Sequence, residues 1–293
     1  MKKSTEISEE IRRNHSAYGL LSPFFILFLL FFIIPLLAAV PLAFTDFSLP
    51  GTPKFSGLAN FQFLFDGNDR FYISLKNSLF SLLITGLGGF VLAAVAAALV
   101  NQLKNPLKTL FAIVFSLPTF TYGAFAVFAL FADKDAASPL NSFLLSLGLT
   151  FNAVDVLNDP VFSLILTQLV KLWSSFGIAF LALLCGFEKK DNPLYDAAVI
   201  EGVTNRMQQF FLITVPSAAE NIAFAAAVQI AAAFSPVGIY TTNSVNMTIT
   251  DYMLQLGTQD YRIGTANAAA VLISAATLIL YIIVRRLTRL RQG

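Results

Sequence analysis

Two residue types on which much protein chemistry depends are almost missing: the sequence holds one histidine, His15, and one cysteine, Cys185. A disulfide needs two thiols and a Cys/His zinc site needs several such ligands, so neither can be assembled within one chain. Charge is scarce as well. Lys, Arg, Asp and Glu make up 12% of the 293 residues, against roughly a quarter in an ordinary soluble domain. No G-x-x-x-x-G-K-[ST] occurs, so no loop of the kind that cradles nucleotide phosphates is present. No cluster of acids, bases or metal ligands marks a membrane-embedded enzyme either. The expectation is a non-catalytic chain with no cofactor of its own and no nucleic-acid partner.

What is abundant is apolar surface, at 56% of residues. It is gathered into charge-free windows at 16–45, 77–103, 109–132, 172–187, 221–250 and 263–284, and charge-free runs of 18 or more residues are candidate membrane spans. The fourth window reaches full length only by extending upstream through Lys171 to Val161. Helix is the expected form of each, because an open strand in lipid would leave backbone groups unpaired at several kcal/mol apiece. The fold class predicted is therefore an all-α membrane protein with six transmembrane helices at about 18–44, 77–101, 109–132, 161–187, 217–239 and 264–284. Pro35 and Pro41 are expected to kink the first span or to mark its outer end.

Lysine and arginine set the orientation, since they are retained on the cytoplasmic side. With both ends inside, thirteen of them fall in the cytoplasmic segments and five, Lys54, Arg70, Lys76, Lys134 and Arg262, in the outer ones. Both termini are accordingly expected in the cytoplasm, as a tail at 1–17 and a basic tail at 285–293, flanking one membrane domain at 18–284. Lys2 and Lys3 before an apolar run resemble a secretory signal, but the run is long and ends without a small-residue cleavage site, so an uncleaved first helix is expected.

The cytoplasmic loop at 188–216 is the longest and it is patterned. Asp191 or Asn192 suits a helix N-cap, Pro193 a first turn, and Gly202 a left-handed stop. Between them Leu194, Ala197, Ala198 and Glu201 share a face, and the two alanines permit close approach of another surface. A second helix is expected from Thr204 or Asn205, with Met207, Phe210 and Phe211 as its apolar stripe. Ile213, Thr214, Val215 and Pro216 then lead back to the membrane.

The run Asp196-Ala197-Ala198, Glu201-Gly202, Phe210, Ile213, Val215-Pro216 resembles the EAA loop of ABC importer permeases. Ser22-Pro23-Phe24, the exit Phe44-Thr45-Asp46-Phe47-Ser48, Gly57-Leu58-Ala59-Asn60-Phe61 and Asn77-Ser78-Leu79 are similar to the maltose-type first permease subunit of carbohydrate uptake. The resemblance implies the type I importer permease fold, in a multi-pass chain of the bacterial inner membrane. It implies a second, similar permease chain, an ATPase dimer holding ATP and Mg, and an extracytoplasmic sugar-binding protein. It also makes Tyr195, Asp196, Ala197, Ala198, Glu201, Gly202, Phe210 and Pro216 the coupling set. Asp196 and Glu201 depart from the usual acids with charge kept. Pro216 follows Gly202 by one residue more than in carbohydrate members. A surplus residue inside a helix turns its downstream face by about 100°, so it is expected in the turn at Val203-Thr204.

Energy and substrate follow from the polar inventory of the spans. No acidic residue sits at the centre of a span, as proton or sodium coupling would require. A secondary transporter or channel subunit working without an ATPase is the alternative reading. Lys171 reads either as a side chain reaching the interface or as one lining a path. Gln168, Trp173, Ser174, Ser175, Gln229, Ser235, Tyr240, Thr241, Thr242 and Asn243 suit a neutral polyol. Polar side chains of this kind also hold helices together in lipid. The substrate-path set expected is Gln168, Lys171, Trp173, Ser175, Gln229, Ser235, Tyr240 and Asn243.

Overall fold

A computed structural model describes residues 15–120, 128, 131–155, 159–188, 193–236 and 246–289. Among them every regular element is helical, and extended pairing is limited to an isolated bridge between Thr45 and Phe55. In chain order the helices are α1 (Gly19–Leu42), α2 (Ala59–Phe65), α3 (Asp69–Val100), α4 (Asn105–Ser116), α5 (Pro139–Ser146) and α6 (Pro160–Phe187). They continue as α7 (Pro193–Ile200), α8 (Arg206–Ser217), α9 (Ala219–Phe234), α10 (Ile249–Thr258) and α11 (Ile263–Arg289).

Four stretches are long and apolar enough to cross a membrane: Gly19–Leu42, Asp69–Val100, Val161–Phe187 and Ile263–Thr288. The pair α8 and α9, bent by 77°, makes a fifth if counted as one. The expected span at 109–132 lies partly outside the described residues, which show α4 and then a 3₁₀ turn at Leu117–Phe120. The second stretch begins at Asp69 rather than near Asn77, because Asn68, and not the end of a charge-free window, caps it: its side chain accepts from the Phe71 amide at 3.2 Å. Pro35 leaves α1 a single helix of 24 residues, with a π-helical stretch at Leu29–Ile33 just upstream. That is where a proline ring would strike the carbonyl of the preceding turn, so a wider turn relieves the contact.

The chain divides into two compact units, Met1–Asp66 with Leu256–Val271, and Gly67–Gln255 with Leu272–Gly293. In the first unit α1 turns apolar side chains outward on every side, with 0% of its most apolar window buried, as a helix in lipid does. After it, Asn60 staples the returning chain: its amide donates to the Ala43 carbonyl at 2.9 Å and the Thr45 carbonyl at 2.6 Å, and its oxygen accepts from the Thr265 hydroxyl at 2.9 Å. Phe61 packs on Phe44 with ring centroids 5.4 Å apart.

The second unit is built on α3, α6 and α9. Ala93 and Ala97 of α3, Ala179, Phe180 and Leu183 of α6, and Ala225 of α9 are fully buried together. Small residues let helices approach closely where lipid supplies no hydrophobic drive between them. Phe115 of α4 sits edge-on to Phe176 and Phe180 of α6, at 5.6 and 5.2 Å.

Candidate functional site

The loop at 188–216 folds as two helices, with each boundary set by local chemistry. Helix α7 ends in a Schellman motif: the Val203 amide donates to the Ala198 carbonyl at 2.8 Å and the Gly202 amide to the Val199 carbonyl at 3.1 Å. Gly202 carries φ +88° there, a left-handed conformation open to glycine without steric cost. Asn205 caps α8, accepting from the Met207 amide at 2.9 Å. The expected caps Asp191 and Asn192 lie outside the described residues.

The unit is fastened at its root. The amide of Asn101 donates to the Phe187 carbonyl at 2.6 Å, and Lys108 reaches Asn101 at 3.0 Å and Glu188 at 3.2 Å. Tyr195 and Thr214 share a hydrogen bond of 2.7 Å, tying α7 to α8. Phe210 stands edge-on to Phe187 at 5.2 Å. Ala198 is buried against its own chain, while Leu194, Val199 and Met207 are exposed and Ile200 is 87% exposed. Three members of the expected coupling set, Ala197, Ala198 and Gly202, are therefore placed differently. Ala197 faces out, Ala198 faces in, and Gly202 terminates the helix. Helical offsets show which side chains share a stripe, not which stripe the rest of the chain covers.

The surplus residue expected between Gly202 and Pro216 would have a second home. Residues Phe210–Thr214 are π-helical, and a π turn takes up one extra residue while keeping the helix continuous. The turn at Val203-Thr204 is already accounted for by the stop at Gly202 and the cap at Asn205.

Within the spans, polar side chains form a ladder across three helices. Ser175 donates to Gln229 Oε1 at 2.9 Å, and one turn along, Lys171 Nζ donates to the Ala233 carbonyl at 3.1 Å. Ser81 of α3 donates to the same carbonyl at 2.8 Å, and Thr85 donates to Gln168 at 3.1 Å. Gly89 lies where a Cβ would come within 2.7 Å of Gln229 Oε1, so the absence of a side chain is what admits Gln229. The chain after α9 is held likewise. Asn77 donates to the Met247 carbonyl at 3.1 Å, Ser78 accepts from the Ile249 amide at 2.8 Å, and Asn246 bonds Ser163. Thr248 and Asp251 form a reciprocal capping box on α10, with the Thr248 amide donating to the carboxylate at 3.1 Å and the Asp251 amide to the hydroxyl at 3.4 Å.

No protein-family model matches the sequence. The chain is 30% identical over 299 residues to the probable ABC transporter permease protein YesP of Bacillus subtilis (strain 168), covering 96% of this chain and 93% of YesP. The chain belongs to the ABC transporter permeases. The permease is also 27% identical over 290 residues to the arabinooligosaccharides transport system permease protein AraP of the same organism, covering 96% and 91% of the two chains. To the sulfoquinovosyl glycerol transport system permease protein SmoG of Agrobacterium fabrum it is 28% identical over 202 residues, 67% of this chain and 63% of that one. Its fold matches that of a crystal structure of a bacterial ABC transporter involved in the import of the acidic polysaccharide alginate. The TM-score is 0.74 at 22% identity, over 97% of this chain and 98% of that chain. At that identity the likeness is one of fold.

Of the residues expected along a substrate path, the permease brings together Gln168, Lys171, Ser175 and Gln229. It does so inside the chain, with Gln229 at 0% and Lys171 at 5% exposure. Their hydrogen bonds run between helices of this chain. Lys171 is spent on the Ala233 carbonyl. Trp173, one of the expected set, lies apart from the ladder, 51% exposed and edge-on to Phe128 at 6.4 Å. Ser235 turns back to bond the Ala232 carbonyl at 2.7 Å. Tyr240 and Asn243 lie outside the described residues. Sequence reading missed Ser81, Thr85, Asn77 and Ser78 as partners; their spacings of three and four along α3 were the available signal.

Proposed function

We propose that the chain is the permease subunit of an ATP-driven importer for a sugar or oligosaccharide, in a bacterial inner membrane, with six transmembrane helices and both ends cytoplasmic. Supporting the substrate class, relatives are named for arabinooligosaccharide and sulfoquinovosyl glycerol transport, and the structural neighbour for alginate import. A second structure of that neighbour is a complex with an alginate pentasaccharide-bound periplasmic protein, which supports delivery by an extracytoplasmic binding protein. A second, similar permease chain encloses the path with this one.

The observation that carries the reading is the exposed apolar face of α7 on a unit rooted in α6 and continuous through α8 with α9. Exposed apolar patches of this kind mark contacts with a partner. In this reading Asp196, Ala197, Ile200 and Glu201 form the face gripped by a cytoplasmic ATPase dimer, where ATP and Mg reside. Tyr195, Ala198 and Phe210 carry the displacement inward to α8, and Pro216 stands at the bend into α9. The chain catalyses nothing; it moves when the motor closes.

Replacing Ala197 by Arg, or Ile200 by Glu, is expected to abolish co-purification of the ATPase and solute uptake while the chain stays inserted. Undiminished uptake in both variants, or transport by the purified permease with no ATPase attached, would overturn the reading and favour a secondary transporter.

A further inference from the structure

Helix α9 ends inside the second unit, and its last carbonyls have no intrahelical partner. At membrane depth such groups must find donors elsewhere, since no water is there to satisfy them. The donors present are specific. The Ala232 carbonyl accepts from the Ser235 amide at 3.2 Å and hydroxyl at 2.7 Å, the Ala233 carbonyl from Ser81 at 2.8 Å and Lys171 at 3.1 Å, and the Phe234 carbonyl from Thr250. Lys171 thus places a cation at a helix C-terminus, where the partial negative charge of the helix dipole favours it.

We propose that Lys171 is a positioning residue that clamps the far end of α9 to α6, giving α9 a fixed point against which displacement of the cytoplasmic loop becomes movement of the membrane helices. The inference rests on the coupling role given above to α7 and α8. A push delivered at Pro216 travels along α9. With its far end fastened, the helix turns about that end. Unfastened, it slides, and the motor cycles without moving solute. Ser81 shares the carbonyl but is neutral, so Lys171 carries the larger part of the hold. Ser175 and Gln229, one turn nearer the loop, keep α6 and α9 in register below the clamp.

The test uses the complete importer with its ATPase and binding protein in proteoliposomes, comparing Lys171→Met, Lys171→Arg and Ser81→Ala. Methionine matches the length of lysine and removes a buried charge, so the chain keeps its packing. In Lys171→Met, solute moved per ATP hydrolysed is expected to fall at least tenfold with ATP hydrolysis retained within about twofold. Arginine, still a charged donor, is expected to restore most of the ratio, and Ser81→Ala to lower it less. Amide hydrogen exchange of a peptide ending at Ser235 is expected to quicken in Lys171→Met and to stay slow in Lys171→Arg.

A proportional fall of uptake and hydrolysis together would mark a merely structural lysine and overturn the clamp. So would an altered KM dependent on solute charge at an unchanged ratio, which would mark a lining residue. Exchange unaltered in Lys171→Met overturns it independently of transport. If the unaltered complex neither hydrolyses ATP nor takes up solute, it is the importer reading that fails; the exchange comparison still decides whether Lys171 holds the helix.

Discussion

Gly202 joins a conformation to the surface proposed for docking. At φ +88° a β-branched side chain is strained by about 1–3 kcal/mol, enough to unwind the end of α7 and displace Val199 and Ile200. Gly202→Val is therefore expected to lose ATPase co-purification with normal membrane insertion. Gly202→Asn, which tolerates the left-handed region, should retain most of it; equal loss in both would argue that the position is needed for space and not for backbone geometry. Gly89 is the opposite case, where space is what matters. A methyl group there meets Gln229 Oε1, so Gly89→Ala should destabilise the permease by about 1–3 kcal/mol through overpacking and through loss of the Ser175 bond. Gly89→Ala combined with Gln229→Ala should recover part of that loss, read as a thermal-unfolding double-mutant cycle.

Among the helices, the ladder joining α3, α6 and α9 contributes more to register than to stability. Side-chain hydrogen bonds in membrane proteins average about 0.6 kcal/mol, so a handful amounts to a few kcal/mol; but the partners recur at helical spacing and fit in one alignment. The π turn at Phe210–Thr214 leads to a sharper expectation. Deleting Phe211 converts it to an ordinary turn and leaves the downstream face in place, so uptake should survive. Deleting Thr204 instead brings the stop at Gly202 against the cap at Asn205 and should abolish uptake. If both deletions are silent, or both fatal, the π turn is not the seat of the surplus residue.

For the chain in its membrane, the charge asymmetry of the loops predicts which segments face out. In a background with Cys185 replaced by Ala, Ser142→Cys should react with a membrane-impermeant maleimide in intact spheroplasts. Thr204→Cys should react only after the membrane is opened. The reverse pattern would place α7 and α8 on the outside and remove any contact with a cytoplasmic motor.

Membrane class, helical form and the two-helix loop were legible in the residues, because hydrocarbon leaves a backbone few choices and because Pro193, Gly202 and Asn205 act within one turn of where they stand. The stop at Gly202 needed no partner from elsewhere in the chain. The direction in which Ala198 and Phe210 face, the start of α3 at the Asn68 cap, and the gathering of Ser81, Gln168, Lys171, Ser175 and Gln229 were not legible, since each depends on groups brought from far along the chain. A lysine in an apolar run reads alike whether it seeks water, solute or a carbonyl; packing α6 against the end of α9 is what supplies Lys171 with the carbonyl of Ala233.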